Sequence, residues 1–187
     1  MSLIGAFAAP HPPLIIPEVG RSKEQHILAT ADSYEAIGRQ IAEEKPDTLI
    51  VISPHSVMYA DYLHISPGMA ARGDFGAFGA PQVSVQTLYD QDLANQICAQ
   101  AEYQGIPAGF LGEEDPSLDH GTMIPLYFIQ KYAGDIPIVR ISISGLSYQV
   151  HYQLGQCIGR AARASRKKVV ILASGDLSHK LREDGPY

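Results

Sequence analysis

Short apolar runs alternate along the chain with stretches whose apolar residues recur at helical spacing, the pattern of an α/β protein built on a central sheet. Ile4 to Ala9 predicts a first strand, closed by Pro10-His11-Pro12-Pro13, where the prolines forbid both helix and central strand. From Lys23 to Glu44 the apolar positions Ile27, Ala31, Tyr34, Ile37 and Ile41 predict one long helix. Thr48 to Ser53 is the clearest buried strand and ends at Pro54-His55; Tyr62 to Ser66 predicts a further strand, on an edge. Gly68 to Pro81, rich in Gly, Ala and Phe without a period, predicts a long loop, and loops of that length commonly serve a binding site. Strands are expected at Gln82–Thr87, Ala108–Leu111, Ile136–Ser142 and Lys168–Ala173, and helices at Asp90–Gln104, Thr122–Tyr132 and Ser147–Ser165. The fold class expected is α/β, a mostly parallel central sheet flanked by helices on both faces. The chain predicts one domain over residues 1–187, and its ending in a polar loop after the last strand is what a domain lacking its C-terminal part would show.

Composition narrows the functions available. The 187 residues suffice for one well-formed core, with 45% hydrophobic and 18% charged residues and a formal net charge of −6. The acidic balance argues against nucleic acid as a partner, and no apolar run approaches the ~18–20 residues of a membrane span. The first residues lack the basic flank of a signal peptide, and Cys98 and Cys157 both fall in predicted helices, which points to a reducing cytoplasm. Chains of this class and size are often homo-oligomers.

The histidines carry the chemistry. His11, His55 and His179 each follow a predicted strand, and parallel strands would bring all three to the carboxyl edge of the sheet, where open α/β proteins bind ligands. His120, in Asp119-His120-Gly121, precedes a predicted helix that Asp119 is placed to cap. Imidazole is a ligand for Fe, Zn or Cu when neutral and a proton carrier near neutral pH. His26 and His151 lie in predicted helices and suit surface or capping roles; His64 receives no role. Ser174-Gly175-Asp176 lacks the nucleophile-elbow pattern, and the Gly-rich stretch has no phosphate-binding signature.

Four short motifs in this order resemble the catalytic β-subunit superfamily of class III extradiol ring-cleavage dioxygenases: Ala-Pro-His-Pro-Pro at 9–13, Ser-Pro-His-Ser at 53–56, Asp-His-Gly-Thr-Met-Ile-Pro-Leu at 119–126 and Gly-Asp-Leu-Ser-His at 175–179. The match is nearest to the bacterial Memo-like, AmmeMemoRadiSam-associated branch. The resemblance implies that His11 and His55 are metal ligands and that His120 and His179 form the acid–base pair. It also implies non-haem Fe(II), with Zn or Cu as alternatives, a small aromatic diol and O2 as substrates, and a fused or partner C-terminal domain. The glutamate that completes the family's iron triad has no counterpart before Tyr187, so the third ligand is either His179, as in Memo-type proteins, or a residue beyond Tyr187. The activity implied is O2-dependent opening of a catecholic ring; the alternative is a Memo-like metal-binding role without ring cleavage.

Overall fold

A computed structural model describes residues 2–176. The central sheet has four strands, β1 (Leu3–Ala9), β2 (Thr48–Ser53), β7 (Ile138–Ser142) and β8 (Val169–Ser174), in the order β1-β8-β2-β7, every pair parallel. β2 explains why the sheet is buried on both sides. Its Leu49 and Val51 face one core, its Ile50 faces the other, and all three are fully buried. β8 repeats the division, with Val170 and Leu172 on the first face and Val169 on the second.

On the first face lie α1 (Pro17–Gly20), α2 (Leu28–Glu44) and α4 (His120–Ala133); α3 (Gln91–Tyr103) and α5 (Tyr148–Ser165) cover the second. The predicted fold class is therefore the one adopted. The helix expected from Lys23 starts at Leu28, because Lys23–Ile27 winds as a tighter 3-10 turn and Ile27 leaves the helical region (φ −130°, ψ 32°). Asp90 caps α3 by accepting from the Leu93 amide, and Lys167 reaches both of its carboxylate oxygens at 2.7 Å, tying α3 to the start of β8.

Two sequence-based expectations are corrected. Tyr62–Ser66 yields only the short β3 (Leu63–His64), which pairs with β6 (Ala108–Gly109) in a two-stranded sheet, while the residues after it meet the outer edge of the main sheet through an Ile65–Ile141 bridge and a Ser66 amide bond to the Arg140 carbonyl. Gly68–Pro81 is not a loop. It holds β4 (Ala70–Phe75), a 3-10 turn at Gly76–Phe78 and the start of β5 (Ala80–Leu88), an antiparallel hairpin. Ala71, Phe75, Ala80 and Val85 are buried from it, an alternation that Ala and Gly conceal because small side chains carry little hydrophobic signal. Gly73 is required where it stands, since a Cβ there would lie 2.6 Å from the Leu118 carbonyl oxygen and from the Met123 sulfur. Phe75 and Ala80, each 0% exposed, anchor both sides of the turn.

Candidate metal centre

Three of the four central strands end in a buried serine, Ser174 on β8, Ser53 on β2 and Ser142 on β7, and two of these serines build the site. At the end of β1, the Pro10 carbonyl accepts a hydrogen bond from the buried Tyr34 hydroxyl of α2, which fixes the chain as it turns into His11. Burial, reinforced by the Asp176 carboxylate, pushes that hydroxyl's pKa up, so it stays a donor.

His11 is buried, and its orientation follows from a proton count. The Ser174 hydroxyl has one hydrogen and donates it to the Gly121 carbonyl, so it can only accept from His11 Nδ1, 2.9 Å away. His11 is therefore protonated on Nδ1 and turns the lone pair of Nε2 outward. That lone pair faces His55 Nε2 at 3.0 Å. An acceptor on one imidazole nitrogen that orients the lone pair of the other is the arrangement found behind metal-bound histidines.

His55 follows β2 and is exposed. Its backbone amide donates to Ser53 Oγ, whose own hydrogen goes to Asp119 Oδ1 at 2.5 Å. Asp119 also caps α4 as predicted, accepting from the Thr122 amide at 2.9 Å and the Thr122 hydroxyl at 2.8 Å. Gly121 lets the helix start this close, since a Cβ there would fall 2.6 Å from Ser53 Oγ and 3.3 Å from His55 Cδ2. The helix thus begins directly against the end of β2 and carries His120 with it.

The three rings gather at centroid distances of 4.8 Å (His11–His55), 5.3 Å (His11–His120) and 4.1 Å (His55–His120). One nitrogen from each lies within 4.8 Å of the others, a donor set able to hold a metal ion. Half-buried His120 has its pKa pushed down to about 4, first by desolvation and then by the neighbouring His55 and His11, with Asp119 and Asp176 opposing. It is neutral at physiological pH, with a lone pair to offer.

Behind Asp119 stands Arg140 on β7, 1% exposed. Its guanidinium lies 3.6 Å from Asp119 Oδ2 and donates to Ser66 Oγ (2.7 Å) and to the carbonyls of Ser117 (2.6 Å) and Asp115 (2.8 Å). Those carbonyls belong to the segment leading into Asp119, so one buried cation fixes both the capping carboxylate and the approach to it.

Of the site residues expected from sequence, His11, His55 and His120 converge, and His179 lies outside the described residues. His151 lies in the first turns of α5, contacting the Ser147 carbonyl and accepting from the Ser144 amide, and His26 is exposed. His64 is buried on β3 outside the cluster, its pKa lowered by burial and by Arg140. Ser174, Ser53, Arg140 and Asp176 were not singled out. The signal available for two of them was the repeated end of buried strands in serine, in Val-Ile-Ser and Leu-Ala-Ser. Cys98 and Cys157 are both free thiols, and no helix among the described residues is long and apolar enough to cross a membrane.

Known proteins are similar to this chain at several levels of identity. Protein CA_C1420 of Clostridium acetobutylicum is 41% identical over the full chain, which covers 42% of that protein. The 2-aminophenol 1,6-dioxygenase beta subunit of a Pseudomonas species is 28% identical over 95% of the chain and 63% of its own length. A MEMO1 family protein of Pyrobaculum arsenaticum is 30% identical over 72% of the chain and 43% of its length. The chain therefore spans only about half the length of the curated relatives it matches. Among solved structures, uncharacterized protein JW3007 from Escherichia coli K12 has a similar fold, with a TM-score of 0.54 at 22% identity over 80% of the chain and 54% of that protein. Residues 5–187 match the family described as the catalytic LigB subunit of aromatic ring-opening dioxygenases, and the chain belongs to that family.

Proposed function

We propose that the chain carries the metal site of an O2-dependent oxidoreductase that opens catecholic rings, with non-haem Fe(II) held by His11 and His55. The observation that supports this best is the 3.0 Å approach of the two Nε2 atoms, with the tautomer of His11 fixed by Ser174 so that its lone pair faces the gap. Relatives named as a 2-aminophenol dioxygenase subunit and as 2,3-dihydroxyphenylpropionate dioxygenases point to an aromatic diol or aminophenol as substrate. His11 and His55 would hold Fe(II) there, which would supply Lewis-acid and redox chemistry.

The protein's own groups do the rest. His120, neutral above about pH 4, accepts a hydrogen bond or proton from a substrate hydroxyl and returns it as the ring opens. His179 is the second acid–base group of this reading. Buried His11 holds the inner side of the site, while exposed His55 leaves the outer side open to substrate.

Protein loaded with Fe(II) without air is expected to take up O2 when given catechols or 2-aminophenol. His55→Ala should lose iron, whereas His120→Ala should keep it and lose about 10²–10⁴-fold in rate. Iron bound with no uptake on any such substrate would sink the proposal. One observation favours a second reading. His120 joins the other two imidazoles in a single cluster, and an all-histidine set suits Zn or Cu in a Memo-like metal-binding protein of a radical-enzyme or partner-binding system. Loss of metal from His120→Ala, together with a wild type that consumes no O2, would favour it.

A further inference from the structure

The hairpin tip comes directly to the histidine cluster. Phe78, the last residue of its 3-10 turn, lies with its ring 5.3 Å from that of His120 at an interplanar angle of 69°. Among the described residues it is the one phenyl, phenol or other non-imidazole ring in contact with the three histidines. The turn is held rigidly. Phe75, fully buried, has its ring 6.3 Å from Phe78. Gly79 takes the left-handed backbone (φ +79°) that brings β5 back, and its carbonyl accepts from Arg21 Nη2 at 3.2 Å. Phe78 itself is only half-buried, so part of its ring is available to a ligand.

We propose that Phe78 is a specificity residue, the apolar wall against which the ring of an aromatic chelator packs at the histidine cluster. The inference rests on the diol reading given above. His11 is buried, so a ligand approaches past exposed His55 and half-buried His120, the side on which Phe78 stands. A bidentate oxygen ligand directs the remainder of its skeleton away from the ion. A flat ring there gains edge-to-face or offset contact with Phe78, whereas a small aliphatic chelator with the same oxygen donors gains almost nothing.

The test is binding, measured without oxygen so that turnover plays no part. Fe(II)-loaded wild type is titrated with 4-nitrocatechol, followed by its visible absorption, and with acetohydroxamate as the aliphatic bidentate competitor. Phe78→Ala is expected to bind 4-nitrocatechol about tenfold more weakly with iron content and acetohydroxamate affinity unchanged. Phe78→Leu, which keeps apolar volume without the ring, should lose a smaller part of the same preference and carries the test if the alanine variant unfolds. Equal loss for both chelators would overturn the proposal, because Phe78 would then be acting through His120. Unchanged 4-nitrocatechol affinity in both variants would overturn it as well. A wild type that holds iron but leaves the 4-nitrocatechol spectrum unmoved would sink the diol reading, and the role of Phe78 with it.

Discussion

Ser174 shows how one side chain sets the chemistry of another. By giving its proton to the Gly121 carbonyl it becomes an acceptor, and that fixes which nitrogen of His11 carries the proton. Ser174→Ala should leave the fold intact at a cost of about 1–3 kcal/mol, because the buried Gly121 carbonyl and His11 Nδ1 both lose this partner. It should weaken metal affinity about 10–100-fold, as loss of an orienting partner does, measurable by competition with a chromophoric chelator. Little of this was legible in the sequence. His11 and His55 stood out because each follows an apolar run and sits beside proline. Ser174 reaches His11 across 163 residues and Ser53 reaches Asp119 across 66, so local spacing carries no trace of either contact. Asp119 was legible as a cap, but its bonds to Ser53 and Arg140 were not, because they depend on β2, β7 and α4 meeting at one edge.

At the scale of elements, the uninterrupted apolar runs were read correctly. Thr48–Ser53 is β2 to the residue, and Asp90 and Ser147 mark the starts of α3 and α5. Of the hairpin, β5 was legible at Gln82–Thr87 but β4 was missed, because its buried Ala71 carries little hydrophobic signal and Gly73 is held small by close approach to Leu118 and Met123 rather than by periodicity. The hairpin is nonetheless a load on the core. Phe75→Ala should cost about 3–5 kcal/mol in urea unfolding, since it empties a fully buried aromatic position. It should also release the tip that places Phe78 beside His120, so the variant's preference for aromatic over aliphatic chelators is expected to fall with its stability.

At the scale of the molecule, crowding three imidazoles makes stability depend on pH. His120 has its pKa pushed down to about 4 in the folded protein, against an ordinary value near 6.5. Between those two values the unfolded chain binds a proton that the folded one refuses. The metal-free protein should therefore lose stability as pH falls from about 6.5 to about 4, with no further loss from this group below that. Urea midpoints measured across this range with a chelator present check the expectation, and His120→Gln, which cannot take the proton, should flatten the slope.

The same crowding has a consequence for assembly. The imidazoles enter from the ends of β1 and β2 and the start of α4, and the hydroxyl that aligns the first of them arrives on β8, the last strand described. Until β8 slots between its two neighbours, Ser174 is not in place to accept from the ring at position 11. The tightest capture of an ion is then expected of a chain whose sheet is complete, and by linkage a bound ion would in turn hold that sheet together.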